Sequence, residues 1–122
     1  MRARERRPGT PSRVERLQGT LDLLILRTLL FGPSHGHSIA KHIQRTSEDI
    51  LQVETGSLYP ALHRLEARGW IGATWEQSDQ GKRAKYYRLT RRGRKELAAA
   101  RSKWETFSRA MGLVLKPVAE EP

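Results

Sequence analysis

Between Gly81 and Lys95 the chain carries Lys82, Arg83, Lys85, Arg88, Arg91, Arg92, Arg94 and Lys95 with no acidic residue among them. Cations packed this closely either stay widely solvated or face a polyanion, and long Lys and Arg side chains suit phosphate oxygens. A second concentration, Arg2, Arg4, Arg6, Arg7, Arg13 and Arg16, falls within residues 1 to 16. Together they hold most of the 23 Lys and Arg that, against 13 Asp and Glu, set a formal net charge of +10. A surface made basic only for solubility mixes its signs, so two separate patches favour nucleic acid as the partner.

Other chemistries find little support. There is no cysteine, which excludes disulfides, thiolate chemistry and Cys-based zinc sites. The four histidines, His35, His37, His42 and His63, lack acids or cysteines at ligand spacing, so capping or surface roles are expected and no metal. No phosphate-cradling glycine loop, His-Glu-x-x-His element or nucleophile elbow is present. Neither catalysis nor a cofactor is expected. The apolar run Leu21 to Phe31 contains Asp22 and Arg27 and is too short to span a bilayer. Without a small-residue cleavage site either, the expected location is the cytoplasm.

A chain of 122 residues has room for one compact domain and one further element. Residues 1 to 16 combine Arg, Pro, Gly, Thr and Ser with one valine and read as a flexible basic arm. Leu17 to Phe31 reads as a helix apolar around most of its circumference, stopped by Gly32 and Pro33. A second helix spans about Gly36 to Ser47, with Ile39, Ala40 and Ile43 inward and Lys41, His42, Gln44 and Arg45 outward. Ile50, Leu51 and Val53 form a brief extended stretch. The third helix turns Leu58, Leu62 and Leu65 inward, and Pro60, expected in its first turn, puts the N-cap near Thr55 to Ser57. Trp70 to Glu76 and Ala84 to Leu89 then form a hairpin around the polar segment Gln77 to Arg83.

Thr90 caps a last helix running to about Leu115. Along it Leu97, Ala100, Trp104, Phe107, Met111 and Val114 recur at alternating spacings of three and four, a heptad stripe that a second chain would cover. The expected architecture is mostly α (α+β): a winged helix-turn-helix domain over residues 17 to 90, a dimerisation helix over 91 to 116 and a tail over 117 to 122.

Within that architecture the residues themselves become recognisable. The chain resembles the PadR family of bacterial transcriptional regulators, in the subfamily with a single C-terminal helix. The resemblance covers roughly residues 17 to 115. It rests on Leu21 to Leu26, His35 to Ala40, Gly56-Ser57-Leu58-Tyr59-Pro60-Ala61-Leu62-His63-Arg64-Leu65-Glu66, Gly69-Trp70-Ile71, and Lys85-Tyr86-Tyr87-Arg88-Leu89-Thr90 with Gly93. It implies a homodimer, usually a repressor, on a palindromic operator in double-stranded DNA. The arginine-rich arm lies outside the shared pattern, and Arg91-Arg92 stands where many relatives look acidic.

The candidate DNA-binding residues follow from the helix faces. Ser57, Tyr59, Pro60, His63 and Arg64 are left for the outer side of the third helix, whose N-terminal part would reach the major groove. Tyr59 reads either as a phosphate contact through its hydroxyl or as a half-buried packing residue. Arg64 reads as a guanine or phosphate contact, or as a solvated partner of neighbouring charges. The chain has no asparagine, so Gln44 is the nearest substitute for reading adenine. Lys41 is a further candidate on the second helix.

In the wing, Lys82 and Arg83 are the phosphate or minor-groove candidates, with Lys85 and Tyr86 along the second strand, some pointing inward. Arg91 and Arg92 oppose the dipole of the last helix, which suggests a role in holding the DNA backbone. The arm's arginines either add contacts or form a weakly attracted tail. Trp104 and Phe107 belong to the dimer stripe and, by the resemblance, are candidates for binding a small aromatic effector at the interface. A nonspecific architectural nucleic-acid-binding protein, or a winged helix kept only as a dimerisation scaffold, are the competing readings.

Overall fold

In a computed structural model, residues 13–77 and 79–118 are described, with side chains from Gly19 onward. The expected arm therefore lies outside the described residues up to residue 12, while Arg13 already belongs to a helix. The elements run α1 (Arg13–Leu29), β1 (Ser34–His35), α2 (Gly36–Thr46), α3 (Thr55–Ala67), β2 (Ile71–Gln77), β3 (Arg83–Leu89) and α4 (Arg91–Val114).

The core forms where α1, α2 and α3 cross against one face of the sheet. Ile25, Leu26 and Leu29 of α1 meet Ile39 and Ile43 of α2 and Leu58, Ala61, Leu62 and Leu65 of α3, all buried. The α3 residues recur at three and four, so one stripe of the helix is consumed by packing and the opposite side is left to solvent. α1 ends two residues earlier than its apolar run, because Leu30, Phe31 and Gly32 donate to carbonyls three residues back and tighten the chain into a turn. Leu30 and Phe31 are then exposed.

The hairpin of β2 and β3 is antiparallel, with Ile71 opposite Leu89 and Gln77 opposite Arg83. A third strand, β1, pairs with β3 through Ser34 and His35, giving the order β1-β3-β2. Sequence periodicity does not reveal it, since two residues carry no alternation. The stretch expected to be extended, Ile50 to Val53, instead leaves a turn in which Glu48 and Asp49 hold φ of 54° and 65°. Both are in the left-handed region, and the turn exposes Ile50.

Pro60 corrects another expectation. The N-cap of α3 is Glu54, with no side-chain cap bond, and Pro60 stands inside the helix in its second turn. Proline there deletes the amide that would bond the Gly56 carbonyl, and exposed Gly56 leaves that carbonyl to water.

α4 starts where Thr90 caps it: the hydroxyl accepts from Gly93 N at 3.0 Å and donates back toward the carbonyls of Gly69 and Trp70. A Cβ on Gly93 would sit 2.0 Å from the Trp70 carbonyl oxygen, so only glycine allows this approach. Leu97 is buried in the domain's own core rather than offered to a second chain, because the first turns of α4 lie against α1 and β3. Beyond Ala100 every residue to Val118 is exposed.

Candidate nucleic-acid interface

The outer side of α3 presents Ser57, Tyr59, Pro60 and His63, all exposed, and Tyr59, Pro60, His63, Arg64 and Ala67 border a shallow open depression. Tyr59 is placed as the half-buried packing reading expects. Its ring is nearly half exposed, yet its hydroxyl lies over the start of α2, where a Cβ on Gly36 would come within 2.7 Å of it. Gly36 thus allows the two helices of the motif to meet edge-on.

Arg64 differs from an outward-facing cation. Its guanidinium bonds the Asp22 carboxylate on α1 at 2.9 Å, with side-chain exposures of 26% and 9%. Arg68 stands 3.8 Å from the other carboxylate oxygen. Burial pushes the Asp22 carboxyl above its ordinary range, against the opposing pull of Arg64 and Arg68. The pair joins elements 42 residues apart and anchors the outer edge of α3 to α1. Its sequence cue was a single acid inside an apolar run.

The wing is tied to α3 by an ion pair. Lys85 reaches from β3 to Glu66 on α3 at 3.1 Å, and that hydrogen bond raises the lysine's pKa. Part of its charge is therefore answered within the chain. Register puts Tyr86 on the opposite sheet face from Lys85, its ring edge-on to His35 at 5.4 Å, so it packs against β1. His35 is itself the N-cap of α2, its Nδ1 accepting from Ser38 N, in line with the capping role expected of it. Tyr87, on the Lys85 face, is buried, which raises its phenol pKa.

Lys82 and Arg83 are exposed at the wing tip, and the guanidinium of Arg83 lies 5.3 Å above the Trp75 ring. Lys41 is exposed on α2, whereas Gln44 spends its amide on Asp49 at 3.3 Å. Arg91 and Arg92 are exposed at the start of α4 and, with Arg94, Lys95 and the acid Glu96, line an open depression. At the far end, Trp104 and Phe107 touch, ring centroids 6.0 Å apart, and both are about half exposed.

Three helices, a β-hairpin wing and an exposed helix face flanked by cations define a winged-helix protein. A profile described as the transcriptional regulator PadR-like family matches residues 25–99. The chain belongs to that family, whose members are DNA-binding transcriptional regulators and not enzymes. Among solved structures, it is similar to a transcriptional regulator from Clostridium thermocellum (29% identity, TM-score 0.75, covering 83% of this chain and 98% of that one). It is also similar to a PadR family regulator from Eggerthella lenta (29%, TM-score 0.70, 86% and 90%). An uncharacterised protein of Lysinibacillus sphaericus is 28% identical over 100 residues, 82% of this chain and 92% of that one. Among the described residues, no helix is long and apolar enough to cross a membrane and no cluster suits a metal ion.

Proposed function

We propose that the protein is a homodimeric, cytoplasmic repressor that recognises a palindromic operator and is released by a small aromatic ligand at its dimer interface. The observation that carries this reading is the uncovered apolar stripe of α4. Trp104, Phe107, Met111 and Val114 stand exposed on a helix that has already left its own domain. From Trp104 to Val114 the uncovered stripe runs about 15 Å at ~1.5 Å per residue, and it is stable in water when a second copy covers it. Two copies paired there would present two α3 faces, which is why the operator is palindromic.

Within this reading Ser57, Tyr59, Pro60 and Lys41 lie at or near the major groove, and Lys82, Arg83, Arg91 and Arg92 hold phosphates. Arg64 acts mainly by holding α3 to α1. The dimerisation role belongs to α4 beyond Ala100, since its first turns, with Leu97, pack into the domain's own core.

The test pairs Trp104→Ala with Phe107→Ala and follows mass by light scattering alongside duplex affinity. The reading expects a monomer that has lost preference for palindromic over random duplex. A parent that is monomeric at micromolar concentration and binds all duplexes alike would favour the architectural alternative. Replacing both Arg91 and Arg92 by alanine should flatten the salt dependence of binding by about two units of slope, ~0.9 for each phosphate that is no longer neutralised. For the effector, Trp104 emission in a variant lacking Trp70 and Trp75 should be quenched by planar phenolic acids or drugs. No quenching by any of them removes the effector from the proposal.

A further inference from the structure

One face of the wing carries a large aromatic that the domain does not cover. Register pairs Trp75 with Lys85 and Gln77 with Arg83, so these four side chains share the sheet face that nearer the core holds Ile71, Ala73, Tyr87 and Leu89. That face turns toward α3, where Lys85 meets Glu66. The opposite face carries Thr74 and Glu76, bonded to each other at 3.1 Å, with Tyr86 and Arg88. The acid of β2 therefore lies on the far face, and the near face pairs an indole with a guanidinium.

Trp75 is 58% exposed, and its contact with Arg83 lies at 5.3 Å on β2, an edge strand. An exposed indole on a sheet edge is a poor choice for solubility, where Lys or Thr would serve better. It becomes favourable when the near face meets a second surface that is both apolar and anionic. The walls of a DNA groove are such a surface, alternating deoxyribose with phosphate. An arginine laid over an aromatic ring also loses less side-chain freedom when it reaches a phosphate.

We propose that Trp75 and Arg83 act on double-stranded DNA as one unit beside each half-site. The indole packs on the deoxyribose wall of the minor groove, and the guanidinium it holds contacts the phosphates of that wall. This rests on the DNA-binding reading above, and it adds a residue that the cation pattern alone does not single out. The contact is sequence-independent, so it is tested on random duplex and on an operator selected from random DNA.

The variants are Trp75→Ala, Trp75→Phe, Arg83→Ala and the double alanine, made in the full chain and checked for folding by circular dichroism. Trp75→Ala should weaken binding to both duplexes about tenfold and flatten the salt slope by about one unit, since Arg83 loses its platform. Trp75→Phe should keep most of the affinity. The double variant should lose less than the product of the two single losses. Trp75→Ala with parental affinity and slope overturns the inference and leaves the DNA-binding reading intact. A parent that binds random duplex without choosing a sequence overturns operator recognition, while a tenfold loss in Trp75→Ala there still supports the wall contact. A parent that binds no duplex overturns both.

Discussion

Replacing Arg64 by alanine removes the close partner of a carboxylate that is almost wholly buried, 2.9 Å from the guanidinium. Breaking a fully buried pair costs ~3–5 kcal/mol. Here the arginine keeps a quarter of its surface in water and Arg68 remains 3.8 Å from the carboxylate, so a loss of about 2 kcal/mol at pH 7 is expected. For a domain of this size that lowers the midpoint of thermal unfolding by ~8–16 °C, compared at fixed protein concentration.

The same site has a pH signature. The folded state binds the Asp22 proton more tightly than the unfolded chain does, because burial outweighs the pull of Arg64. The contribution of Asp22 to stability is thus fully present below its unfolded pKa and is lost as the pH rises through the raised folded value. Asp22→Asn keeps an acceptor for Arg64 and never ionises. Its stability relative to the parent should therefore grow as the pH rises from about 4 toward neutrality. Arg64→Ala should show the opposite comparison, its deficit shrinking in acid, where Asp22 is neutral. Thermal unfolding of the three proteins across that pH range measures both. An Arg64→Ala midpoint within about 2 °C of the parent at pH 7, or gaps that ignore pH, would refute the argument.

Gly93→Ala should destabilise by about 3 kcal/mol, read by chemical denaturation, because the new methyl meets a backbone carbonyl that has no rotamer to yield. Thr90→Ala removes the cap of α4 together with its bonds to Gly69 and Trp70, for about 1–2 kcal/mol, and amide exchange at Gly93 should quicken. Glu48→Gly relieves a left-handed residue in the turn before α3 and should raise stability by about 0.5 kcal/mol, the strain released less the added freedom of the unfolded chain.

Where local chemistry decides the structure, the sequence was readable. Thr90 followed by a helical pattern identified the cap of α4, and β-branched and aromatic residues on either side of a polar segment with Gly81 identified the wing. The heptad spacing identified the stripe whose outer part stands exposed. Tertiary placement decided the rest. β1 forms because β3 offers it a free edge, and two residues leave no periodic trace. Pro60 was read by the rule that proline opens helices, whereas packing by Leu58, Ala61 and Leu62 holds the turn around it despite the missing bond. Leu97 fits the heptad and still belongs to the core, because spacing cannot say where a helix leaves its domain. Asp22 and Arg64 lie far apart in sequence, so their pairing was invisible until α1 and α3 met. At the interface, the exposure of Ser57 and the wing-tip cations followed from helix faces and composition, while the cross-strand register that puts Trp75 and Arg83 on one sheet face did not.

The central claim is that two α3 faces, spaced by α4, read one palindrome. Repeated selection of bound duplexes from random DNA by the full chain at physiological salt, followed by sequencing, measures this directly. The account predicts a palindrome whose half-sites are separated by about one helical turn, ~34–36 Å between centres. Enrichment of a single asymmetric site, or no enrichment at all, would contradict it.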